Sequence, residues 1–469
     1  MDLQGTSFIG AGRGSGGAGE SRAVNPVSGE EMEPAYLAEG EESVEAVCSL
    51  AAAAFVDFRE RSGVEKAGFL RAIADEVDAL EEEIVSRMTK ETGLPEGRCR
   101  MEKGRTCGQL RLFASLLEDG SWVDARIDHG DPDRAPVAKP DCRSMWRPMG
   151  PVVVFCASNF PLAYSVAGGD TASALASGCP VIVKAHGSHP GTAEIVATAV
   201  RIAVEKCGMH EGVFSMLYGS GRTIGQSLVR HSVVRAVGFT GSRNGGRALM
   251  DAAAARPEPI PVWAEMSAIN PVFVLPGALR ERGDAIADGF VGSLTLGVGQ
   301  FCTNPGLLIT GGEGRSQFAE RIASLAGEAA PAAMLHKGIA EAYQDALKAM
   351  MTKEGVETLA QVLIEDGSSQ GGAVVLGADA AGFLSDQSMA EEMFGPATLM
   401  VSADDEAAML EVAESLEGQL TATVHATEED LEMFGKLIAV LERKAGRLVY
   451  NGFPTGVEVC HGMVHGGPS

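Results

Sequence analysis

Residues 151–162 read Pro-Val-Val-Val-Phe-Cys-Ala-Ser-Asn-Phe-Pro-Leu, and they open the part of the chain that decides the fold. Their apolar run, followed by a polar turn, predicts a short buried strand. Similar runs recur downstream, and segments with helical periodicity separate them. Such alternation predicts a parallel sheet covered by helices on both faces, an α/β fold. The predicted strands are 152–155, 181–183, 213–217, 236–239 and 260–264, and the predicted helices are 163–177, 191–206, 223–229 and 245–255.

Polar and glycine-rich residues follow the carboxyl ends of these strands. Open parallel sheets bind their ligands outside that edge. The sequence therefore predicts a ligand site there, built from Asn159, Lys184, Gly219–Arg222, Thr240–Ser242 and Glu265.

Working outward, the flanking segments differ in character. Amphipathic periodicity predicts helices over residues 43–60, 64–91 and 98–117. The glycine-rich stretch at residues 10–19 has no helix-forming run after it, so we interpret residues 1–20 as a flexible N-terminal segment. Turn-forming pairs such as Asp-Gly and Lys-Pro interrupt residues 119–150 and predict an irregular hairpin.

A second decisive stretch, residues 297–306, reads Gly-Val-Gly-Gln-Phe-Cys-Thr-Asn-Pro-Gly. A structural cysteine normally lies in an apolar run. Glycines instead allow close backbone approach to a ligand and expose N–H groups to an incoming oxyanion. Cys302 is therefore a candidate nucleophile, and a buried cysteine beside a turn is the alternative.

Composition restricts the class of protein. The chain has 469 residues, and 38 basic against 63 acidic side chains give a net charge of −25, which disfavours nucleic acid and anionic membranes as partners. No apolar run approaches the ~18 residues of a membrane span. Nine cysteines without a C-x-x-C pair indicate reduced thiols and a cytoplasmic protein without a metal site.

Several motifs, in order and spacing, resemble those of the aldehyde dehydrogenase superfamily. They are Asn159–Leu162, Val183-Lys184, Phe239–Ser242, Ala264–Met266, Gly299–Cys302 and Glu392–Pro396. Within the superfamily, residues 158–162, 264–271 and 451–461 look like the bacterial 2-oxoglutarate semialdehyde dehydrogenases, with the NADP-linked fatty aldehyde dehydrogenases of luminous bacteria a close second. The resemblance implies an α/β fold with a Rossmann-like cofactor domain, an α/β catalytic domain and a small hairpin for oligomerisation.

The resemblance also implies domain limits and an assembly. The cofactor-binding domain covers residues 21–118 and 148–265, the oligomerisation hairpin 119–147, the catalytic domain 266–452 and a return segment 453–469. Family chains usually continue into a strand that pairs with a neighbouring subunit, and this sequence stops before it. A homodimer or homotetramer is the expectation from the family.

The chemistry follows from the residue types. A Cys302 thiolate attacks an aldehyde carbon, and the oxyanion needs preset donors such as the Asn159 amide and the Cys302 N–H. After hydride leaves, the thioester needs water, for which Glu265 is the candidate general base. Two alternatives stay open: a cysteine hydrolase using Cys302 with His461 or His465, and a non-catalytic binding protein.

For the cofactor, the resemblance assigns Gly241 and Ser242 to the pyrophosphate, Glu392 to the nicotinamide ribose and Phe394 to the nicotinamide ring. NAD-preferring relatives often carry a glutamate at the position of Gly187, where it binds the adenosine ribose. We therefore expect NADP to be preferred, with NAD possible. Lys184 and Arg222 would bind the 2′-phosphate, although each could be a solvated surface charge.

The expected substrate is an aldehyde with a distal carboxylate, because the resemblance indicates 2-oxoglutarate semialdehyde. A buried carboxylate needs a cation. Arg105 and Gln109 share a helix face that lines the substrate tunnel in the family, and Phe160 and Phe453 would form its walls. Arg111 lies off that face and is expected to make a structural ion pair. The alternative for Arg105 is a pair with a neighbouring acid.

Overall fold

The computed structural model describes residues 1–365 and 367–468. Asp366 and Ser469, the last residue of the expected return segment, lie outside the described residues. The chain forms two compact units. The first comprises residues 1–25 and 30–265, and the second comprises residues 26–29 and the chain from Met266 onward.

The first unit is built around a mainly parallel sheet of the expected kind. Among the described residues the strand order is β11-β10-β7-β8-β9-β1-β2, and β7 to β11 pair in parallel. The predicted strands are confirmed to within two residues at each end. The strands are β1 (Phe8–Ile9), β2 (Gly12–Arg13), β3 (Glu20–Val24), β4 (Glu31–Leu37), β5 (Arg126–Asp128), β6 (Cys142–Ser144), β7 (Val152–Phe155), β8 (Val181–Lys184), β9 (Phe214–Leu217), β10 (Ala236–Thr240) and β11 (Val262–Glu265).

Helices pack on this sheet through apolar faces, and a local signal marks several of their ends. A reciprocal Ser62–Glu65 capping box starts α2, and Gly93 in the left-handed conformation ends α3. The predicted helix over 64–91 is wrong in one respect, because it breaks at Leu80 into two. The helices are α1 (Glu41–Phe58), α2 (Gly63–Ala79), α3 (Glu81–Thr92), α4 (Glu96–Asp119), α5 (Gly169–Ser177), α6 (Pro190–Lys206), α7 (Gln226–Arg230) and α8 (Arg243–Ala254).

The N-terminal glycine-rich segment is ordered, so the expectation of a flexible segment over 1–20 is wrong. Strand β1 pairs with β9, and β2 pairs with β1. The buried Glu194 carboxylate accepts hydrogen bonds from the backbone N–H groups of Gln4 and Gly5 and forms an ion pair with Arg13. These long-range polar contacts hold a segment whose composition alone favours a loop.

Two antiparallel ribbons complete the first unit. Strand β3 pairs with β4 and β5 pairs with β6. The second ribbon lies inside residues 119–147, where the sequence predicted a hairpin. Several large apolar side chains in this region are exposed: Ile127, Val137, Met145 and Trp146.

The second unit contains another twisted sheet. Its order among the described residues is β15-β17-β18-β13-β12-β19-β20, and only the β15–β17 pair is antiparallel. The strands are β12 (Val272–Val274), β13 (Leu307–Thr310), β14 (Ala332–Ala333), β15 (Glu357–Gln361), β16 (Gln370–Gly371), β17 (Val374–Asp379), β18 (Ala397–Ser402), β19 (Gln419–His425) and β20 (Ala445–Tyr450), and the helices are α9 (Pro276–Thr295), α10 (Arg315–Gly327), α11 (Lys337–Met351), α12 (Ala380–Ser385), α13 (Glu406–Ser415), α14 (Glu428–Met433) and α15 (Gly435–Lys444).

Apolar side chains cover both faces of the second sheet. One core includes Phe273, Tyr343 and Phe383, and the other includes Phe290, Phe318 and Ile322. Within the described residues, no helix combines the length and apolar composition needed to cross a membrane.

Candidate active site

The loop that carries Cys302 in the second unit has an unusual backbone. Gly297, Val298 and Gly299 have φ angles of 57°, 58° and 64°. Such angles suit glycine but are strained for a β-branched residue such as Val298. A Cβ atom on Gly299 would lie 2.3 Å from the carbonyl carbon of Gly395, so a larger residue cannot make this approach. The bend leads directly to Cys302, which is half-buried.

Asn270 ties this loop to the second sheet. Its Nδ2 donates to the carbonyl oxygens of Cys302 at 2.8 Å and Asn304 at 3.0 Å. Its Oδ1 accepts from Thr421 Oγ1 at 3.0 Å, and Asn304 Nδ2 donates to the Gly395 carbonyl at 3.0 Å. Asn270 is not among the site residues predicted from the sequence, because contacts across more than thirty residues leave no periodic signal.

An imidazole lies beside the candidate nucleophile. His465 Nε2 is 3.6 Å from Cys302 Sγ, within reach of a sulfur hydrogen bond. Of the two histidines considered as partners in the sequence, the structure brings His465 to the thiol, whereas His461 is exposed. This contact allows a proton to pass between sulfur and nitrogen.

The other cysteines provide a contrast. All nine cysteines are free thiols in the described part of the chain. Burial raises the pKa of the Cys48, Cys107 and Cys156 thiols to about 12 in each case. Those thiols are chemically inert at neutral pH. Cys302 differs from them in having partial exposure and an imidazole contact.

In the first unit, Asn159 lies half-buried in the turn that follows β7. The buried Glu102 carboxylate holds this turn. Its Oε1 accepts the N–H groups of Leu162 at 2.9 Å and Ala163 at 3.0 Å, and its Oε2 accepts from Arg98 at 2.6 Å. These bonds keep residues 161–168 in turns, so the predicted helix over 163–177 is wrong at its start and begins at Gly169.

Arg105 on α4 points toward the same turn. Its guanidinium carbon is 5.7 Å from the Phe160 ring centre, and its Nη2 donates to Tyr164 Oη at 2.9 Å. Its Nε is buried and has no hydrogen-bond partner among the described residues. Gln109 lies one turn further along α4, where its amide approaches Gly169 at the start of α5.

The alternative in which Arg105 pairs with a neighbouring acid finds no support in the described residues, which give this guanidinium no ion pair. Arg111 instead contacts the carboxylates of Asp75 at 2.8 Å and Asp78 at 2.7 Å. The expected structural ion pair of Arg111 is therefore confirmed.

Glu265 ends β11 and lies opposite Thr240 of β10. Its side chain is half-buried. Nearby, burial raises the pKa of the Asp170 carboxyl to about 6, and the negative charge of Glu265 contributes to the same shift. A Cβ atom on Gly238 would lie 2.9 Å from Asp170 Oδ2, so the sheet accommodates this second carboxyl only with glycine there.

The carboxyl edge of the first sheet presents two basic side chains. Lys184 ends β8, and burial lowers the pKa of its ammonium group. Arg222 is exposed in the one-turn π-helix Gly221–Gly225 after β9. Within the described residues, neither side chain makes an ion pair. A Cβ atom on Gly187 would meet nothing within 4 Å, so this position is open space.

The start of α8 lies at the same edge. Ser242 is the N-cap, and its Oγ accepts the Gly245 N–H at 3.3 Å. Gly241 and Ser242 are exposed. Ser242 therefore caps α8, and the N-terminus of this helix is open to an anion.

The remaining sequence-predicted site residues belong to the second unit. Glu392 and Phe394 are half-buried in the segment before β18. The Phe453 ring lies 5.1 Å from the His425 ring and against Gly289, where a Cβ atom would come within 2.2 Å of it. Phe453 thus packs against the core that α9 helps to form.

Comparison with known proteins gives a consistent result. The aldehyde dehydrogenase family profile matches residues 15–468. The chain is 51% identical over 471 residues to alpha-ketoglutaric semialdehyde dehydrogenase 2 of Azospirillum brasilense. The alignment covers 100% of this chain and 90% of that relative. It is 43% identical over 429 residues to alpha-ketoglutaric semialdehyde dehydrogenase of Acinetobacter baylyi, and this alignment covers 91% of this chain and 81% of that relative. Betaine aldehyde dehydrogenase of Staphylococcus aureus in complex with NAD⁺ has a similar fold, with a TM-score of 0.84, 19% identity and coverage of 99% and 90%.

Proposed function

Because the chain belongs to the aldehyde dehydrogenase family, we propose that its substrate is 2-oxoglutarate semialdehyde, which it oxidises to 2-oxoglutarate. The enzyme class is an NAD(P)-dependent oxidoreductase acting on aldehydes. The observation that carries the choice of substrate is Arg105, a partly buried guanidinium that lacks an acidic partner within the described residues. Two relatives that act on alpha-ketoglutaric semialdehyde, the same compound, support the choice.

In this proposal Cys302 is the nucleophile, and His465 takes its thiol proton. The contact of 3.6 Å between Sγ and Nε2 supports this role, because only the thiolate attacks a carbonyl carbon efficiently. Attack forms a carbon–sulfur bond and turns the aldehyde oxygen into an oxyanion. The Asn159 amide and the Cys302 N–H donate hydrogen bonds to that oxyanion. Asn270 positions the second donor by holding the carbonyl of the same residue.

A bound nicotinamide ring would supply the acceptor for the hydride of the thiohemiacetal carbon. A thioester on Cys302 remains, and water must attack it to release the acid. Glu265 is the proposed general base for that water. Burial and the negative charge of Glu265 raise the pKa of the neighbouring Asp170 carboxyl to about 6.

The residues at the carboxyl edge of the first sheet fit a nicotinamide dinucleotide, and we propose NADP as the preferred form. Lys184 and Arg222 would hold the 2′-phosphate, since an arginine fork suits phosphate geometry. Gly187 leaves room there and contributes no repelling acid. Gly241 and Ser242, at the open N-terminus of α8, would hold the pyrophosphate, and Glu392 and Phe394 the nicotinamide riboside.

The substrate side is proposed to consist of Arg105, Gln109, Phe160 and Phe453. Arg105 would bind the distal carboxylate, and the two aromatic rings would cover the methylene groups. Gln109 lies on the same helix face but rests against Gly169, so its contribution would be limited to packing or a secondary hydrogen bond.

A homo-oligomer in the cytoplasm is proposed for the assembly and the compartment. The exposed apolar side chains of residues 119–147, namely Ile127, Val137, Met145 and Trp146, suit a surface that another subunit covers. Two exposed free thiols, Cys142 and Cys460, suit a reducing compartment. Sedimentation velocity that shows a monomer at micromolar concentration would contradict the oligomer.

The experiment that tests the proposed function measures the near-ultraviolet absorbance of reduced cofactor. A panel contains 2-oxoglutarate semialdehyde, succinic semialdehyde, hexanal and dodecanal, each with NAD or NADP. The proposal expects the highest kcat/KM for 2-oxoglutarate semialdehyde with NADP. A preference for dodecanal would favour a fatty aldehyde dehydrogenase.

A cysteine hydrolase is the second candidate, since the Cys302–His465 contact could also serve ester or thioester cleavage. Hydrolysis without any cofactor reduction across the whole aldehyde panel would favour it over the proposed oxidation.

A further inference from the structure

Tyr164 lies beside Arg105 in an arrangement that neither the sequence nor the comparisons assign to any role. Its hydroxyl oxygen accepts the Arg105 Nη2 hydrogen bond at 2.9 Å. The guanidinium carbon is 5.3 Å from the Tyr164 ring centre, so the cation sits close to the phenol. The Phe160 ring packs edge-on against Tyr164, with ring centres 5.1 Å apart at 81°. Arginine, phenol and phenyl ring thus form one cluster on the first unit.

The hydrogen-bond roles in this cluster are fixed by chemistry. A guanidinium only donates, so the Tyr164 oxygen must be the acceptor of the Arg105 bond. A phenol hydroxyl can accept one hydrogen bond and donate its own proton in another. Arg105 Nε is buried without a hydrogen-bond partner among the described residues, and a buried donor left in that state is costly. The cluster therefore offers adjacent donors to a ligand that carries adjacent oxygen acceptors.

A 2-oxo acid has such acceptors, because its ketone oxygen and a carboxylate oxygen sit on neighbouring carbons. We infer that Tyr164 is a specificity-determining residue, whose hydroxyl donates to the 2-oxo oxygen while Arg105 binds the adjoining carboxylate. This inference rests on the proposed oxidation of 2-oxoglutarate semialdehyde. It adds that the enzyme recognises the ketone as well as the charge, and so separates 2-oxo acids from simple ω-oxo acids.

Glu102 and Arg98 give the cluster a rigid support. The Arg98 guanidinium carbon is 4.9 Å from the Phe160 ring centre, and its charge is paired with Glu102. Glu102 in turn holds the N–H groups of Leu162 and Ala163. Arg98 is therefore committed to a carboxylate of the protein, which leaves Arg105 as the cation of this cluster suited to a ligand.

The test compares two substrates of equal chain length. 2-Oxoglutarate semialdehyde carries the 2-oxo group, and 5-oxopentanoate lacks it but keeps the aldehyde and the carboxylate. In Tyr164→Phe we expect kcat/KM to fall about tenfold for the first substrate and less than about twofold for the second, as for loss of one hydrogen bond to substrate. Tyr450→Phe, on β20 of the second unit, is the matched control and should leave the ratio unchanged.

Competitive inhibition by the products provides a second measurement if turnover of the variant is low. Tyr164→Phe should weaken inhibition by 2-oxoglutarate about tenfold and leave inhibition by glutarate nearly unchanged. Equal losses on both substrates and both products would overturn the inference and reduce Tyr164 to a residue that positions Arg105. A wild-type enzyme that oxidises neither acid efficiently would overturn the proposed substrate, and the inference with it.

Discussion

Cys302 is set apart at the residue scale by what surrounds it. Buried thiols such as Cys156 have a pKa raised to about 12, whereas Cys302 is half-buried beside His465 after a strained bend. Strain of this kind persists where surrounding contacts hold it, and it concentrates at functional sites. The site chemistry therefore depends on one sulfur atom and the loop that presents it.

Cys302→Ala should lower kcat/KM for aldehyde oxidation by ~10⁴-fold or more, since removing a nucleophile removes the covalent route. Cofactor binding should stay within about twofold of the wild type, measured by fluorescence titration. Cys156→Ala is the matched control and should keep most of the activity. Substantial oxidation by the Cys302 variant would remove this residue from the mechanism.

Arg222 tests the cofactor at the same scale. Arg222→Ala should raise KM for NADP about tenfold, because a charge-assisted bond to the 2′-phosphate is lost. KM for NAD, which lacks that phosphate, should change less than about twofold. Arg201→Ala, on α6, serves as a control. A wild-type preference for NAD, or equal effects on both cofactors, would contradict the assignment.

The sequence predicted where several candidate site residues lie in the fold, because their chemistry and position coincide along the chain. Lys184 and Glu265 end β8 and β11, and Asn159 lies in the turn after β7, each near a strand that apolar patterning identified. Tyr164 and His465 gave no comparable signal. Their partners lie 59 and 163 residues away, and such contacts depend on tertiary packing that no local pattern encodes.

At the scale of elements, the turn between β7 and α5 decides where Asn159 and Phe160 lie. Helical periodicity continues through residues 163–168, but the chain does not form a helix there. The buried Glu102 carboxylate takes two N–H groups from this turn and a guanidinium from Arg98. A tertiary contact has overridden local propensity, which is why the sequence misplaced the helix start.

Glu102→Gln should disturb this turn. The neutral amide keeps one acceptor oxygen but directs an NH₂ group toward Arg98, so a buried pair is lost at a cost of about 1–3 kcal/mol of unfolding free energy. We also expect kcat to fall about tenfold as Asn159 shifts, while KM for the cofactor changes little. Urea denaturation and steady-state kinetics measure both effects.

Glu118→Gln, further along α4, is the control, because that carboxylate pairs with Arg71 at the surface. It should leave both the urea midpoint and kcat unchanged. If Glu102→Gln behaves in the same way, the carboxylate does not position the turn.

At the scale of the whole molecule, the sequence predicts the α/β class of the fold but not the order of its N-terminal segment. The alternation of strands and helices predicted an α/β protein correctly, because each period reflects burial. The ordered structure of the N-terminal segment was not predicted, because its glycine-rich composition gives no sign of the contacts that Glu194 makes with Gln4 and Gly5. Order there comes from a partner almost two hundred residues away.

Net charge also affects the proposed chemistry at this scale. A chain with a formal charge of −25 repels an anionic substrate over long range. Productive binding of an acidic semialdehyde therefore depends on a local cation close to the bound carboxylate. Arg105 is the residue proposed to supply this cation.

The most direct test of the central claim is kcat/KM for 2-oxoglutarate semialdehyde and for hexanal in the wild type, in Arg105→Met and in the control Arg111→Met. The wild type is expected to prefer the acidic aldehyde. Arg105→Met should lower kcat/KM for the acidic aldehyde about 100-fold, as for loss of charged hydrogen bonds. It should change kcat/KM for hexanal less than about threefold. Arg111→Met should affect both aldehydes alike. Equal losses on both aldehydes in Arg105→Met, or a wild type that prefers hexanal, would contradict the account.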